Sequence, residues 1–303
     1  MPSLKELRIR INSIRSTQKI TAAMKMVAAS RLRRAQALVT DSAAYIKNVT
    51  QTSSRLIFEL QQEEKLHSIT YIYPHLMRPP LKQNKYLLLV FSSDRGLAGN
   101  FNYQVAKSAQ QRIEELQSAG AEVKLICIGK KAADIIKRTY PGNILEVREG
   151  LARKGADYEE MEALSQKLVH DFEAGEFDIC EIITSQFITA MTREVRSVQV
   201  LPLSLPPLQE VDPTITATGA IYEYDGDRLE MLSNVLPLLF RGLIFQAMVH
   251  SQASEQSARM TSMDNATRNA KDMINKLTLR YNGIRQSAIT TELIEIIAGA
   301  EAV

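Results

Sequence analysis

Residues 260–288 read MTSMDNATRNAKDMINKLTLRYNGIRQSA, and small or apolar residues recur in them with gaps alternating between three and four. The stripe consists of Met260, Met263, Thr267, Ala270, Ile274, Leu277, Tyr281, Ile284 and Ala288. Such spacing is typical of a helix that packs lengthwise against another helix. We expect the helix to begin at Ser233–Asn234, because Pro237 would then lie in its first turn, where proline is tolerated.

The expected length of this helix decides where it can lie. At ~1.5 Å per residue, a helix from Ser233 to the chain end would be about 100 Å long. A globular domain of this size is less than half as wide. Most of the helix is therefore expected to extend beyond its own domain. Its apolar stripe must then be buried by another element.

A second long helical pattern opens at Pro2-Ser3. Its stripe consists of Leu4, Leu7, Ile11, Ile14, Ala28, Leu32, Ala35, Val39, Ile46 and Val49. Between the two halves of this stripe, the same register would place Gln18, Thr21 and Lys25 inward. A strict heptad is therefore predicted to fail there, and the supercoil to change pitch or partner. The helix is predicted to end near Glu63–His67.

Two long helices at opposite chain ends, each with an uncovered stripe, are expected to pair with each other. Because both would leave one middle domain, the pairing would be antiparallel, and the near-heptad period predicts a left-handed twist. The predicted fold class is α/β, with a long antiparallel coiled coil of N- and C-terminal helices plus a central Rossmann-like α/β domain. The predicted division is 1–66 for the N-terminal coiled-coil helix, 67–215 for the central domain and 216–303 for the C-terminal coiled-coil helix.

Strand and helix patterns alternate in the middle of the chain, after a proline-containing loop. The predicted strands are Tyr86–Ser92, Val123–Ile128, Ile144–Val147, Ile179–Ser185 and Val195–Leu203. The predicted helices are Gln104–Ser118, Lys131–Arg138 and Tyr158–Glu173. Alternation of this kind indicates a layered domain with a mostly parallel sheet.

Folds of this class often bind nucleotides, but neither of the glycine patterns that bind phosphate follows the first strand. The segment found there is Asp94-Arg95-Gly96-Leu97-Ala98-Gly99-Asn100. We interpret it as a structural turn or a docking surface, with a ligand site as the alternative. The sequence indicates no Ser/His/Asp set, no carboxylate pair and no metal-ligand spacing. We therefore assign no catalytic, cofactor-binding or metal residue and no cofactor.

The start of the N-terminal helix is strongly basic, although the net charge of +3 is too small by itself to indicate a nucleic-acid partner. A single acid, Glu6, accompanies the basic residues Lys5, Arg8, Arg10, Arg15, Lys19, Lys25, Arg31, Arg33 and Arg34. Four explanations stay open at this point: a solvated face, a nucleic-acid-binding helix, an organellar presequence, and a face that meets an acidic protein surface.

The two cysteines and the lengths of the apolar runs indicate in which cellular compartment the chain is expected and whether it spans a membrane. Cys127 and Cys180 lie in apolar strand-like runs and are predicted to be buried structural thiols in a reduced, cytoplasm-like compartment. No apolar run approaches the ~20 residues that a membrane span requires. Any membrane role is therefore expected to be peripheral.

Three motifs resemble the gamma subunits of F-type ATP synthases, and the resemblance extends over essentially the whole chain. ITTELIEIIAGA at Ile289–Ala300 is similar to the family signature I-T-x-E-x-x-[DE]-x-x-x-G-A. TQKITAAMKMVAAS at Thr17–Ser30 resembles the family's N-terminal helix motif, and SDRGLAG at Ser93–Gly99 its turn after the first strand. The family often has Cys where this chain has Ala98 and Gly where it has Asn100.

The resemblance implies a central rotor shaft that transmits torque between the membrane c-ring and the catalytic alpha–beta hexamer, with no catalytic site of its own. It implies alpha, beta, epsilon and the c-ring as partners, no nucleic acid, and membrane contact only through the complex. The implied location is the cytoplasmic face of a bacterial inner membrane. The implied coupling and partner-contact positions are Met24, Lys25, Arg259, Arg285, Gln286, Thr290, Glu292 and Glu295.

Three further expectations depend on this resemblance. Acidic loops of the beta subunits would meet the basic face, through Lys25, Arg31, Arg33 and Arg34. The apolar C-terminal end would sit in an apolar collar of the ring. A polar network between the helices would explain the polar part of the N-terminal stripe, with Arg285, Gln286, Thr290 and Glu292 on one helix and Gln18 and Lys19 on the other.

Overall fold

The computed structural model describes residues 3–62, 74–79, 84–151, 158–207 and 226–301. Contacts divide the chain into two compact units. The first unit is Met1–Ser30 with Arg259–Val303, and the second unit is Arg31–Ala258. The predicted boundaries at 66/67 and 215/216, and the predicted helix end at Glu63–His67, lie outside the described residues.

The helices and strands of the described residues follow the predicted order. The helices are α1 (Leu4–Gln62), α2 (Phe101–Ser118), α3 (Lys130–Ile136), α4 (Tyr158–Glu173) and α5 (Arg228–Glu301). The strands are β1 (Lys85–Phe91), β2 (Glu122–Ile128), β3 (Ile144–Arg148), β4 (Ile179–Phe187) and β5 (Arg193–Leu201). The predicted fold class, two long terminal helices plus an α/β sheet, is confirmed.

Helix α1 begins with a capping box. The Glu6 N–H donates to Ser3 Oγ at 3.2 Å, and the Ser3 N–H donates to Glu6 Oε2 at 3.0 Å. Two amides that lack helical partners are thereby satisfied, which fixes the start of the helix predicted at Pro2-Ser3.

The inward stripe of α1 keeps its heptad without a break, contrary to the prediction. Gln18 and Lys25 are half-buried and Thr21 is 9% exposed, whereas the apolar Ile20 is 60% exposed. The prediction assumed that only apolar side chains can hold a seam. Thr21 and Lys25 can hold it here because they find polar partners on α5.

The start of α5 also differs from the prediction. The helix begins at Arg228, and Asp227 Oδ1 accepts the Leu229 N–H at 3.2 Å. Pro237 therefore lies inside the helix, where it removes one backbone donor. The predicted stripe of α5 is confirmed, since its positions from Met260 to Ile284 are buried or half-buried and only its last member, Ala288, is exposed.

The five strands form one sheet in the order β3-β2-β1-β4-β5. The first four strands are parallel, and β5 runs antiparallel to β4. The sequence runs from β1 outward through β2 to β3, then crosses to the other side of β1 for β4. The strand order therefore reverses between β1 and β4, which is where open α/β sheets commonly bind ligands.

Helices cover both faces of this sheet in the second unit. Leu88 and Val90 of β1 pack with α2 and α3 on one face, while Leu87 and Leu89 pack on the other face with α4 and parts of α1 and α5. A strand buried on both faces reads as a continuous apolar run, as YLLLVF in β1 does.

By length and composition, one described helix, α5, is apolar enough to cross a membrane. Its most apolar 18-residue window has a mean hydropathy of 1.5, against the expectation that no run would approach a span. Half of that window is buried inside the protein, as in the core helices of globular domains, which pass the same test.

Candidate functional site: a filled crevice and a paired shaft

Helix α5 fills the crevice at the carboxyl ends of β1 and β4. Ser251 Oγ donates to the carbonyl oxygen of Phe91 at 3.4 Å, and Ser254 Oγ donates to that of Ser185 at 2.8 Å. Phe91 is the last residue of β1, and Ser185 lies two residues before the end of β4. A nucleotide would enter between these two strand ends in a sheet of this topology. The crevice is therefore occupied by the chain itself.

A carboxylate takes the place that a phosphate would occupy at the next turn. Asp94 Oδ1 accepts the Lys130 N–H at 3.3 Å, at the start of α3, and Asp94 Oδ2 accepts the Gly150 N–H at 3.0 Å. Backbone amides after parallel strands are common phosphate ligands in such folds. Here they are already engaged by Asp94, which ties the ends of β1, β2 and β3 together.

The rest of the 94–100 segment is a structural turn, one of the two predicted interpretations. Leu97 and Gly99 adopt positive φ of 66° and 57°. Ser93 Oγ donates to the carbonyl oxygen of Arg95 at 2.7 Å, and Arg193 Nη2 donates to Asn100 Oδ1 at 2.9 Å. These bonds hold the turn against β5.

A cavity of about 700 Å³ lies at the opposite, amino-terminal ends of β1 and β2. Its charged side chains compensate one another: Lys167 lies 3.0 Å from Glu146, and Lys124 lies 3.6 Å from Glu122. The wall thus presents balanced charge, unlike a phosphate pocket. Among the described residues, no group of three or more His, Cys, Asp or Glu side chains could hold a metal ion.

The two cysteines are buried, as predicted, and they lie on opposite faces of the sheet. Burial raises the pKa of the Cys127 thiol to about 12, and burial also raises the pKa of Cys180. Both thiols therefore stay protonated and unreactive at neutral pH.

In the first unit, α1 and α5 are joined by two polar pairs. Thr267 Oγ1 donates to Thr21 Oγ1 at 2.8 Å, and Lys25 Nζ lies 2.6 Å from Asp264 Oδ1. From the first pair to the second, the residue number increases on α1 and decreases on α5. The two helices therefore run antiparallel, as predicted.

The hypothesised polar network of Arg285, Gln286, Thr290 and Glu292 with Gln18 and Lys19 is wrong. Because Thr21 meets Thr267, Gln18 lies beside Ala270, about 22 Å along the helix from Arg285. Thr290 Oγ1 instead donates to the Gln286 carbonyl oxygen of its own helix, at 2.9 Å. The spacing of the stripe shows which face of each helix is buried. It does not show which residues of the two helices lie opposite each other, so it could not exclude this network.

The predicted coupling positions fall into two groups. Met24, Lys25 and Arg259 are half-buried along the paired helices. The other five are exposed, on the part of α5 beyond Ile284: Arg285, Gln286, Thr290, Glu292 and Glu295. The structure therefore brings the first group into the paired region and leaves the second group on the end of α5.

The end of α5 is apolar as well as exposed. Large side chains there have between 51% and 69% of their surface exposed: Ile289, Leu293, Ile294, Ile296 and Ile297. They point to more than one side of the helix, so one partner helix could not cover them all.

The family profile described as ATP synthase matches residues 3–303. The ATP synthase gamma chain of Rhodospirillum rubrum is 42% identical over 306 residues, which cover 100% of both chains. That of Rhizobium rhizogenes is 40% identical over 302 residues, again with complete coverage of both.

The chain belongs to the ATP synthase gamma chains.

Solved structures share the fold of this gamma chain. A chain of the Euglena gracilis mitochondrial ATP synthase, from a structure of OSCP, F1 and the c-ring, has a TM-score of 0.63 at 14% identity, covering 99% of this chain and 94% of that one. A chain of the Tetrahymena thermophila central stalk and c-ring has a TM-score of 0.59 at 20% identity, covering 82% and 99%. Gamma chains are non-catalytic subunits that form the central stalk of ATP synthase.

Sequence reasoning missed the α5 partners of the gamma chain's polar seam, Asp264 and Thr267. The motifs drew attention to Lys25 but gave it no partner within the chain. The available signal was the inward register of Gln18, Thr21 and Lys25, which demanded polar residues opposite. A search for polar residues on the α5 stripe would have found Thr267.

Proposed function

We propose that this gamma chain turns as the rotor shaft of a bacterial F-type ATP synthase and passes torque between a proton-driven c-ring and three catalytic sites in an alpha–beta hexamer. The observation that carries the proposal is the antiparallel pairing of the chain's two ends through Thr21–Thr267 and Lys25–Asp264. Two paired helices resist twisting and bending better than one, which a torque shaft requires. Membership of the gamma chains over residues 3–303 supports it.

The proposed division of labour follows the predicted segments, except where the two long helices enter the second unit. Residues 1–66 and 216–303 supply the shaft inside the hexamer, while Leu56, Leu60, Leu232 and Leu236 of these segments pack in the core of the body. Residues 67–215 supply the rest of the body, which contacts epsilon and the c-ring. The chain then lies on the cytoplasmic face of the inner membrane and meets the membrane only through the complex. The bacterial origin of the gamma chains from Rhodospirillum and Rhizobium supports this location.

The basic face of α1 is proposed to meet acidic loops of the beta subunits. Arg31, Arg33 and Arg34 are exposed and available for this contact. Lys25 shares the basic segment, but its ammonium is bound to Asp264. An exposed ion pair contributes roughly 0–1 kcal/mol. The contact therefore suits steering past three equivalent loops better than tight binding to one.

The exposed apolar end of α5 is proposed to turn in an apolar collar of the hexamer. Contiguous exposed apolar surface commonly marks an interaction site. Leu293, Ile296 and Ile297 supply such a surface on more than one side, as a bearing contact would need. The exposed polar residues of the same segment are proposed to couple rotation to catalysis: Arg285, Gln286, Thr290, Glu292 and Glu295.

The rotor proposal is tested by purifying the full-length chain, carrying an affinity tag, from membranes of its own host. The expected result is one copy of this chain in a complex that hydrolyses ATP, and a bead fixed to the chain that rotates in one direction in three equal steps. A chain recovered without ATPase activity, or a bead that does not rotate, would overturn the proposal.

Glu292→Gln tests the coupling role of the exposed end. It removes a charge from an exposed position, so folding should be unaffected while proton-driven ATP synthesis in membrane vesicles falls several-fold. Asp272→Asn is the control, because Asp272 is an exposed acid on the same helix outside the proposed coupling set. Unchanged synthesis in the Glu292 variant would remove Glu292 from that set.

Met24→Lys tests the half-buried coupling position on α1. The slim, flexible Met24 side chain is proposed to let the shaft pass the beta loops, so the longer cation should lower ATP-driven proton pumping more than ATP hydrolysis. Met26→Lys is the control, because Met26 is 68% exposed on another side of the helix. Equal losses of pumping and hydrolysis would contradict the proposal.

A further inference from the structure

Four side chains form a polar layer across the paired helices of the first unit: Thr21 and Lys25 on α1, and Asp264 and Thr267 on α5. Together with the half-buried Gln18, the layer interrupts a seam that is otherwise small or apolar, between Ile11 and Ala28 on α1 and beside Met263 and Ala270 on α5.

Within the layer, the two hydroxyls face each other and the carboxylate faces two cations. Thr21 Oγ1 and Thr267 Oγ1 are 2.8 Å apart, and each also lies near a carbonyl oxygen of its own helix, Gln18 at 3.0 Å and Met263 at 2.7 Å, so two hydroxyl protons are shared among three contacts. Asp264 is held from two sides, by Lys25 Nζ at 2.6 Å and by Arg268 Nη2 at 2.7 Å. The hydrogen bond from Lys25, followed by the charge of Arg268, lowers the pKa of Asp264.

Stability is not the main consequence of this layer. The Lys25 and Asp264 side chains are 45% and 23% exposed, and pairs with this exposure contribute little to folding. A better account comes from the rest of the seam in the first unit. Its small and apolar residues repeat with the heptad and by themselves do not distinguish one repeat from the next.

A slip of one heptad would fail at the polar layer. With α5 shifted by seven residues one way, Lys25 would face Lys271 and Thr21 would face Ile274; shifted the other way, Lys25 would face Ser257 and Thr21 would face Met260. The first shift sets two like charges together. Both shifts take Lys25 away from its carboxylate and place the Thr21 hydroxyl against an apolar side chain. Single polar positions in coiled coils are known to specify register in this way.

We infer that the polar layer of Thr21, Lys25, Asp264 and Thr267 is a register lock, which fixes α1 axially against α5 so that both helices carry the load together. The lock deepens the proposed rotor function and rests on it. Lys25 and Asp264 are positioning residues for coupling: they act on the fit between the helices.

Charge reversal in the assembled complex tests the lock. Lys25→Asp and Asp264→Lys are each expected to lower ATP-driven proton pumping relative to ATP hydrolysis by about threefold or more, and the double reversal is expected to restore the ratio. Asp272→Lys, an exposed reversal on the same helix, is expected to leave the ratio unchanged. If the single reversals keep the wild-type ratio, or the double reversal fails to restore it, the lock is wrong.

Disulfide trapping in the same complex reads the register directly. Ile14 lies one heptad from Thr21, so Ile14→Cys with Ile274→Cys reports the native register, and Ile14→Cys with Tyr281→Cys reports the slipped one. The second disulfide should form only in chains that also carry Asp264→Lys. If the complex that carries Asp264→Lys does not assemble, Thr267→Val is used in its place. The slipped-register disulfide is then expected to form in chains that carry Thr267→Val.

The two proposals fail differently. If the native-register disulfide forms but the tagged complex lacks ATPase activity, the rotor proposal fails and the lock remains a fact of the helix pair. If the complex is active and Asp264→Lys still gives only the native-register disulfide, the lock fails alone.

Discussion

The carboxylate of Asp94 binds the backbone N–H of Gly150, with 3.0 Å between Oδ2 and N. The same carboxylate accepts the Lys130 N–H, so one side chain joins the turns that follow three parallel strands. Because Asp94 is almost fully buried, water cannot easily replace it.

Asp94→Ala should therefore destabilise the chain by about 2 kcal/mol, since two amides lose their acceptor. Thermal unfolding of the full-length chain measures the change. The control is Asp134→Ala, because Asp134 is an exposed acid of α3 whose ion-pair distance to Lys131 is 3.8 Å. Equal midpoints for the two variants would contradict the tying role of Asp94.

A second prediction concerns Glu181, a nearly buried acid on β4. Its carboxylate accepts two bonds from Arg112, at 2.6 and 2.8 Å, and one from Ser197 Oγ at 2.8 Å. The Glu181 hydrogen bond raises the pKa of Arg112 above its ordinary value. Glu181→Gln should cost about 2 kcal/mol, less than a fully buried pair, because the Arg112 side chain is 32% exposed.

Denaturant unfolding of the full-length chain measures the Glu181 effect. Glu115→Gln is the matched control: Glu115 also binds Arg112, at 3.0 Å, but it is 64% exposed. We expect that variant to change stability by no more than about 0.5 kcal/mol. If the exposed partner proves the costlier one to remove, the burial argument is wrong.

The sequence sufficed for the sheet and for the faces of the long helices. Strand β1 was recognisable because a strand covered on both faces is apolar at every position. The α5 stripe was recognisable because the spacing of inward residues along a helix is the same for any partner helix. The filled crevice could not be predicted, since Ser251 and Ser254 look like ordinary polar helix residues. Only the three-dimensional path of α5 brings them to the ends of β1 and β4.

The errors share one physical cause. Pattern reasoning treats each helix alone, so it took Gln18, Thr21 and Lys25 for a break in the seam, although Thr21 and Lys25 are partnered by α5. The same limit misplaced Glu292 beside Gln18. Axial register depends on which residues meet, and a single stripe contains no information about its partner.

A third prediction tests the close approach of Gly129 to β1. Gly129 has φ of 98°, and a Cβ there would lie 2.4 Å from the Ser92 carbonyl oxygen. Gly129→Ala should therefore cost about 3 kcal/mol or more, from backbone strain and the clash together. Gly142→Ala is the control because its Cβ would meet no atom within 4 Å. Similar unfolding midpoints for both variants would refute the prediction.

A fourth prediction follows from the buried thiols. At pH 8, iodoacetamide should label neither Cys127 nor Cys180 in the native chain and both in urea, as mass spectrometry would show. Because burial raises the pKa of Cys127 to about 12, its contribution to stability is complete below the unfolded thiol's pKa of about 8.5 and declines as pH rises from there toward 12. Rapid labelling without denaturant would contradict the burial.

The occupied crevice at β1 and β4 also has a consequence for small molecules in the surrounding solution. Any molecule entering there would first have to displace Ser251 and Ser254 of α5 from the carbonyl oxygens of Phe91 and Ser185. The concentration of such molecules should therefore leave the sheet of this chain unchanged.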